Sequence, residues 1–377
     1  MSSYSCAVVA AGSQGRVHAQ GYAAQAARAA EPGAEPGAEP GAGPGVELVA
    51  VADVNVAAAR ELAQDLGIPG VYDSHEEMLK AEHPDVVSIC TPPSTHLEVA
   101  RAAVAAGVRA IHCEKPIATS YADVLTMHEL ARDAGVQLTF NLQRRFEPVH
   151  RFAREQIAAG AIGTVVSLEG YCPNLPDWGS HIVDLMLFYL GDRPPTWVMG
   201  QVDVTVNRYV YGAFAETSSL TQVKWEDGVN ALIMTGREPQ TPLLNIENNL
   251  GLLVQGTGGR VDARGARCLV HRFGADDIVF ESPCSRDSSM WERRVDPAIV
   301  ACTAEAIADL LASLDEGQPP VLRSELGVRG AEIIFATYES SRSRRRVGLP
   351  LDVHDNALRS GLEQGFWQPV GEQRSTY

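Results

Sequence analysis

The chain has 377 residues, of which 45% are hydrophobic and 21% charged, and its formal net charge is −16. This length suits two domains, and the composition is that of an ordinary globular protein. So acidic a surface repels nucleic acid and anionic lipid, which argues against either as a partner. The seven cysteines form no C-x-x-C pair, which predicts reduced thiols, a cytoplasmic location and no metal site.

The first part of the chain alternates strand-like and helix-like segments. This alternation predicts a doubly wound parallel sheet, the Rossmann arrangement, over residues 1–146. The strands are expected at 6–10, 46–52, 85–91, 110–113 and 137–142, and the helices include 56–66, 95–106 and 120–135. Because the first strand runs directly into a glycine turn, we expect no signal peptide. We also expect no membrane span, because no apolar run is long enough to cross a bilayer.

One segment interrupts this order. Residues 31–45 read EPGAEPGAEPGAGPG, a tetrapeptide repeated three times and then degraded. Proline and glycine at this density form neither a helix nor the interior of a sheet. We therefore expect a disordered surface loop between the first helix and the second strand.

The pattern changes after residue 146. Strand candidates then mostly follow one another without helices between them, which predicts an α+β domain over 147–377 with an open, mostly antiparallel sheet. The strands are expected at 165–171, 197–206, 218–225, 231–235, 251–255 and 278–281, with covering helices at 298–314 and 324–341. An open sheet leaves a face to bury, so we expect a homodimer or homotetramer formed through it.

A glycine turn joins the first strand to the first helix. Its second glycine lets the backbone approach a pyrophosphate, its third permits close packing of helix on strand, and the helix N-terminus attracts the phosphates. Ala10 stands in place of the usual first glycine, so the turn by itself is a weak signal. The turn residues expected to bind a dinucleotide are Gly12, Ser13, Gln14 and Gly15.

Asp53 follows the second strand, where a carboxylate bonds the adenosine ribose hydroxyls. Its sequence distance from the glycine turn is long, and the repeat insert accounts for the excess. The carboxylate repels a 2′-phosphate, and neither Val54 nor Asn55 carries a positive charge, so NAD is predicted in preference to NADP. The alternative is a surface aspartate that caps the next helix.

Two further motifs, TPPSTH at 91–96 and CEKP at 113–116, follow the next strands at the carboxyl edge, where such sheets bind ligands. The residues expected to contact the cofactor here are Thr91, Pro92, His96 and Glu114. Lys115, beside a proline turn, is well placed for chemistry, although a lone Glu-Lys pair is more often a solvated surface pair.

Together these residues resemble the Gfo/Idh/MocA family, named for glucose–fructose oxidoreductase and inositol dehydrogenase. The resemblance covers nearly the whole chain. It rests on AAGSQGRVH at 10–18, Asp53, TPPSTH at 91–96, CEKPIA at 113–118 and DWGSHIVD at 177–184, with a further likeness over 327–351. EKP followed by D-x-G-x-H-x-x-D at this separation is specific, whereas the glycine turn is not.

The resemblance implies a nicotinamide cofactor bound between a Rossmann domain and an open-sheet domain, and reversible oxidation of a secondary alcohol on a sugar or polyol. The lysine of EKP corresponds to Lys115, and the aspartate and histidine of D-x-x-x-H correspond to Asp177 and His181. Ala10 departs from the pattern. Gln143, which stands where the family often has asparagine, bears on the sugar specificity rather than on the reaction class.

Alcohol oxidation removes a hydride, which the cofactor takes, and a proton, which the protein must take. His181 suits this task because the ordinary pKa of histidine lies near neutrality. It opens a helix expected to be amphipathic, and if that helical turn includes Asp177 the i, i+4 spacing puts both side chains on one face. Asp184 is a competing partner. Lys115 is expected to stabilise negative charge on the substrate oxygen.

Side chains near these residues are candidates for substrate contacts, namely Gln143, Arg144, Tyr171 and Trp178, although both aromatic residues are equally explained as core. Three functions remain open: an NAD-dependent dehydrogenase, a redox-neutral glycosidase or epimerase that keeps its NAD, and a noncatalytic NAD-binding sensor. A sensor would be expected to lose the lysine or the histidine, and Lys115 and His181 are both present.

Overall fold

The structure is a computed structural model that describes residues 2–30, 45–236, 251–282 and 295–374. It divides into two compact units. The first comprises Met1–Ala118, Asp123–Phe146 and Ser289–Gly327, and the second comprises Thr119–Ala122, Glu147–Ser288 and Val328–Tyr377. Of the predicted repeat insert, residues 31–44 lie outside the described residues.

The elements of the first part of the chain alternate between strand and helix as predicted. In chain order they are β1 (Ser3–Val9), α1 (Ser13–Ala30), β2 (Gly45–Ala52), α2 (Val56–Leu66), β3 (Gly70–Tyr72), α3 (His75–Glu82), β4 (Val86–Ile89), α4 (His96–Ala105), β5 (Ala110–Cys113), α5 (Tyr121–Ala134) and β6 (Gln137–Phe140). The six strands form one sheet in the order β3-β2-β1-β4-β5-β6. All neighbouring strands run parallel, so the predicted doubly wound Rossmann sheet is confirmed.

β4 and β5 are buried at every position, including the polar Ser88 and His112, which is why neither shows the alternation of a half-buried strand. β3 and α3 lie outside the predicted elements. β3 has three residues and α3 has eight, too few for a hydrophobic period to be recognised.

After residue 146 the described part of the chain has twelve strands and five α-helices. Its elements are α6 (Pro148–Ala158), β7 (Val165–Cys172), α7 (Ser180–Tyr189), β8 (Trp197–Asp203), β9 (Val206–Val210), β10 (Ala213–Ala215), β11 (Ser218–Lys224), β12 (Asn230–Thr235), β13 (Gly251–Gly256), β14 (Gly259–Arg264), β15 (Arg267–Arg272), β16 (Ile278–Glu281), α8 (Pro297–Glu316), α9 (Ser324–Ser343), β17 (Val347–Gly348), α10 (Ala357–Glu363) and β18 (Gly371–Arg374). A nine-stranded sheet has the order β16-β15-β14-β13-β7-β12-β11-β8-β17, and a small sheet has the order β10-β9-β18.

The large sheet is mostly antiparallel, as predicted, with β7 and β12 as its parallel pair. Helices pack on one of its faces. A Cβ on Gly170 of β7 would lie 2.5 Å from Ile182 of α7, and a Cβ on Gly200 of β8 would lie 2.6 Å from Thr337 of α9. Four strands, β10, β14, β15 and β18, lie outside the predicted elements, and the predicted strand at 197–206 covers β8 but only the first residue of β9.

α8 differs most from expectation. It was expected to cover the C-terminal sheet, yet it packs against α1 in the first unit, where Ile307, Leu310 and Leu311 join the core cluster of β1 and β2. A Cβ on Gly21 of α1 would lie 2.9 Å from Ile307 Cδ1, so this close approach depends on the glycine. The first unit therefore includes a returning segment that a single boundary at residue 146 does not describe.

α8 also corrects the expectation that no segment is long and apolar enough to cross a membrane. By length and composition alone, this helix passes that test. A core helix passes it too, and Ile307 and Leu310 are fully buried in the first unit.

Candidate active site

The glycine turn lies at the carboxyl end of β1. A Cβ on Gly15 would lie 1.8 Å from the carbonyl oxygen of Ala10, so this position accepts only glycine, whereas no described atom lies within 4 Å of a Cβ on Gly12. Open space therefore faces the backbone at Gly12. Ala10 has a φ of 83°, the left-handed region in which glycine is favoured, so the residue in the place of the first glycine adopts a backbone conformation that suits glycine.

Asp53 reaches this turn from the end of β2. Its Oδ2 accepts the Ala11 N–H at 2.7 Å, and its Oδ1 accepts the Asn55 N–H at 2.7 Å. Each carboxylate oxygen keeps capacity for a further hydroxyl donor. The cap of α2 is Asn55, whose side chain accepts the Ala58 N–H, so Asp53 is not the capping residue that the alternative interpretation required.

A buried network holds Glu114 at the end of β5. Glu114 Oε1 accepts a hydrogen bond from Asn141 Nδ2 at 2.7 Å and lies 3.0 Å from His18 Nε2, while Oε2 accepts the Lys115 N–H at 3.0 Å. Burial would raise the pKa of Glu114, but the hydrogen bonds and charge of His18, the charge of Lys115 and the hydrogen bond of Asn141 together lower it to about 2. The ionised carboxylate therefore fixes the Lys115 backbone, and its expected contact with the cofactor stays a prediction.

His96 ties two loops together. Its Nδ1 lies 2.9 Å from the Ile117 carbonyl oxygen and its Nε2 lies 2.7 Å from that of Thr91, and the ring is fully buried. Burial lowers the pKa of His96, and the two carbonyl contacts oppose that shift. His96 therefore holds the TPPSTH loop against the loop that follows Lys115, and the exposed Pro92 lies between Thr91 and His96.

Several buried polar atoms at the carboxyl edge of the parallel sheet have no hydrogen-bond partner among the described residues. They are Gln14 Oε1, Thr91 Oγ1, Asn141 Oδ1 and Gln143 Oε1. Each belongs to a residue beyond the carboxyl end of β1, β4 or β6, and buried polar atoms are normally paired. These atoms, the open space at Gly12 and the Asp53 carboxylate fit a dinucleotide. Across the described ranges, no group of three or more His, Cys, Asp and Glu could hold a metal ion.

In the second unit, Asp177 and His181 lie on one continuous helical segment. The π-helical turn Leu175–Gly179 leads directly into α7, so the helical turn does include Asp177. The Gly179 N–H donates to the Asn174 carbonyl at 2.8 Å, and Asn174 Oδ1 accepts the Asp177 N–H at 2.9 Å. Single π turns are frequent at functional sites. Asp177 and His181 are each 4% exposed.

α7 is not amphipathic. Every residue from His181 to Tyr189 is buried, so the prediction of one polar face is wrong. The helix is apolar around most of its circumference, and its polar side chains His181 and Asp184 are buried with the rest.

The four candidate substrate residues lie in three different elements of the structure. Trp178 lies in the π turn and is buried. Tyr171 lies on β7 with its hydroxyl donating to Glu169 at 2.9 Å, and alternation along a strand puts it on the face opposite Gly170, against which α7 packs. The structure therefore does not bring Tyr171 to the helix of His181. In the first unit, Gln143 and Arg144 lie buried in a 3₁₀ turn after β6.

Two residues that sequence reasoning missed hold the segment before Asp177. Glu216 accepts the Leu175 N–H at 2.7 Å, and Arg208 Nη1 donates to the Pro173 carbonyl at 3.1 Å. Both charged side chains are buried. Their sequence signal is weak, because both charges have polar neighbours: Arg208 follows Asn207, and Glu216 precedes Thr217.

Comparison with known proteins places these features in context. Residues 4–142 match the model of a family described as an oxidoreductase family with an NAD-binding Rossmann fold. The chain is similar to D-xylose 1-dehydrogenase (NADP(+)) 2 of Haloferax volcanii, with 34% identity over 325 residues that cover 80% of this chain and 92% of that protein. It is similar to myo-inositol 2-dehydrogenase of Thermotoga maritima, with 32% identity over 327 residues that cover 80% of this chain and 91% of that protein.

Among solved structures, levoglucosan dehydrogenase in complex with NADH and levoglucosan has a TM-score of 0.75 and 18% identity, covering 92% of this chain and 100% of that chain. At this identity the likeness is one of fold.

Proposed function

Because the chain belongs to the Gfo/Idh/MocA family of NAD-binding oxidoreductases, we propose that it is an NAD-dependent dehydrogenase acting on a ring secondary alcohol of a sugar, an inositol or a related derivative. The observation that carries the proposal is the placement of Asp177 and His181 on one buried helical segment, in a chain whose first unit has a dinucleotide turn. When bound, the nicotinamide supplies the hydride chemistry.

The proposed cofactor is NAD, although one relative is named for NADP. A 2′-phosphate near Asp53 would meet a carboxylate. Arg16, the residue after Gly15, has its guanidinium 2.5 Å from Asp65 and 3.3 Å from Glu61, so its charge is already matched. Like-charge repulsion at Asp53 therefore favours the unphosphorylated ribose.

In the proposed mechanism, three side chains handle the hydroxyl proton and the oxygen charge. His181 takes the proton during oxidation and returns it during reduction. Asp177 orients the imidazole and stabilises its protonated form, and Lys115 donates to the substrate oxygen as negative charge develops there. The assignment of these roles rests on the family resemblance.

The test is a panel of D-xylose, myo-inositol and levoglucosan with NAD and NADP, followed by nicotinamide absorbance and product analysis. At saturating NAD and substrate, His181→Ala should lower kcat about a hundredfold or more while leaving NADH affinity unchanged. His271→Ala is the control, because His271 lies 2.7 Å from the Asp277 carboxylate but is on β15, outside the helical segment of Asp177. Near-normal turnover of His181→Ala would remove the proposed base. Product formed without NADH would favour the NAD-retaining glycosidase or epimerase.

We further propose a cytoplasmic homodimer or homotetramer formed through the nine-stranded sheet, with small molecules rather than nucleic acid or membrane as ligands. The face opposite α9 exposes Met199, Leu220 and Leu232 on three adjacent strands, with 54%, 49% and 38% of each residue exposed. Such a patch is typical of a protein interface. Leu220→Glu should dissociate the assembly in sedimentation experiments, and a monomeric parent protein would contradict this proposal.

A further inference from the structure

Glu216 follows β10 and is completely buried. Its Oε1 accepts hydrogen bonds from the Leu175 N–H at 2.7 Å and from Thr235 Oγ1 at 2.9 Å, and its Oε2 accepts one from the Tyr338 hydroxyl at 2.9 Å. The carboxylate therefore joins three elements: the π turn Leu175–Gly179, β12 and α9.

A carboxylate in such a place is costly to bury. Burial raises the pKa of Glu216, and the hydrogen bonds from Leu175, Tyr338 and Thr235 oppose that shift. These donors are neutral, so what holds the group is hydrogen bonding of fixed geometry. A buried polar group of this kind specifies one arrangement of the elements around it more than it adds stability.

The Glu216 carboxylate specifies the backbone conformation of the π turn. The Leu175 N–H lies at the start of a helical segment and has no acceptor within that segment, so Glu216 supplies one. Asn174 Oδ1 holds the Asp177 N–H, and Arg208 holds the Pro173 carbonyl. A displacement of Leu175 therefore moves Asp177, two residues later. A misplacement of about 1 Å in such a group can cost about a hundredfold in rate.

We propose that Glu216 is a positioning residue, which fixes the π turn so that Asp177 and His181 keep the orientation needed for proton transfer. This inference rests on the proposed function. It extends that function to a residue that contacts neither the substrate nor the cofactor.

The test compares Glu216→Ala with Glu332→Ala. Glu332 is a matched control, because it is a largely buried carboxylate that also accepts a backbone N–H, from Leu351 at 2.8 Å, and a tyrosine hydroxyl, from Tyr121 at 3.3 Å, without bonding the π turn. Both variants should lower Tm. Only Glu216→Ala should lower kcat, by about tenfold to a hundredfold, with NADH affinity unchanged. Glu216→Gln, which keeps an oxygen acceptor, should recover most of the rate.

A second readout does not need a substrate. Trp178 lies in the π turn, and its fluorescence is isolated by subtracting the spectrum of the same protein carrying Trp178→Phe. We expect this emission to shift to longer wavelength in Glu216→Ala and not in Glu332→Ala. Equal kcat and equal Trp178 emission in these two variants would overturn the inference. If instead His181→Ala keeps normal turnover while the emission shifts, the proposed catalytic site fails and the structural half of the inference stands.

If Glu216→Ala does not fold, Tyr338→Phe and Tyr121→Phe make the same comparison with the loss of one hydroxyl each. Tyr338→Phe removes a bond to Glu216 and should lower kcat about threefold to tenfold, while Tyr121→Phe removes a bond to Glu332 and should not. Parent kcat and parent Trp178 emission in Tyr338→Phe would overturn the inference.

Discussion

Alanine substitutions at two glycines of the β1–α1 turn should separate folding from cofactor binding. A Cβ on Gly15 would lie 1.8 Å from the Ala10 carbonyl oxygen and 2.8 Å from its carbon, whereas no described atom lies within 4 Å of a Cβ on Gly12. Backbone atoms cannot rotate away, so the turn itself must move. We expect Gly15→Ala to lower the free energy of unfolding of the apoprotein by about 1–3 kcal/mol or more. Gly12→Ala should leave it within about 0.5 kcal/mol.

For cofactor binding we expect a direct effect of the substitution at Gly12. The Cβ of Gly12→Ala would enter the open space where the pyrophosphate is proposed to lie, and the NADH Kd should rise about tenfold, which corresponds to about 1.4 kcal/mol. NADH at 100 times the parent Kd stabilises the folded protein by about 2.7 kcal/mol, and tenfold weaker binding leaves about 1.4 kcal/mol. Urea unfolding with and without NADH therefore measures both effects on one sample.

Gly348→Ala is the control, because Gly348 lies in β17 of the second unit and its Cβ would also meet no described atom within 4 Å. It should match the parent in stability and in NADH affinity. Gly12→Ala with the parent Kd would refute the pyrophosphate position. Gly15→Ala with parent stability would refute the close packing of α1 on the turn.

Three further predictions concern the cofactor, acid stability and the insert. Asp53→Ala should reduce the NAD-over-NADP ratio of kcat/KM about tenfold or more, and an unchanged ratio would count against the role of Asp53. Burial and the charge of His18 lower the pKa of His112 to about 3, so the unfolded chain takes up a proton first as pH falls. Between about pH 6.5 and pH 3 the free energy of unfolding should therefore fall by about 1.4 kcal/mol per pH unit through His112. His112→Gln should remove this contribution when stability is measured by urea unfolding, and an unchanged slope would contradict the lowered pKa of His112. Deletion of residues 31–43 should leave turnover intact, because a Pro-Gly repeat forms neither helix nor sheet interior; a folded but inactive deletion variant would show that the segment has a role.

The sequence by itself determined the Rossmann half and its cofactor turn. Buried parallel strands are covered on both faces, so β4 and β5 stand out as short, mostly apolar segments, and the 3.6-residue period marks α2 over residues 56–66 as the structure has it. The spacing of Gly12 and Gly15 after β1 and the place of Asp53 after β2 are local features, readable without neighbours. The same holds for the i, i+4 relation of Asp177 and His181.

What only the tertiary structure decided is which surface each element meets. A hydrophobic stripe shows that one face of a helix is buried, but not which surface covers it. For this reason we expected α8 to cover the C-terminal sheet, whereas it packs in the first unit. The partners of the buried carboxylates are equally remote: His18 lies 96 residues from Glu114, and Tyr338 lies 122 residues from Glu216. No local period records such pairings, because hydrogen bonds between distant segments depend on how the chain folds back on itself. Glu216 is therefore absent from every motif, although its carboxylate accepts the first N–H of the turn that carries Asp177.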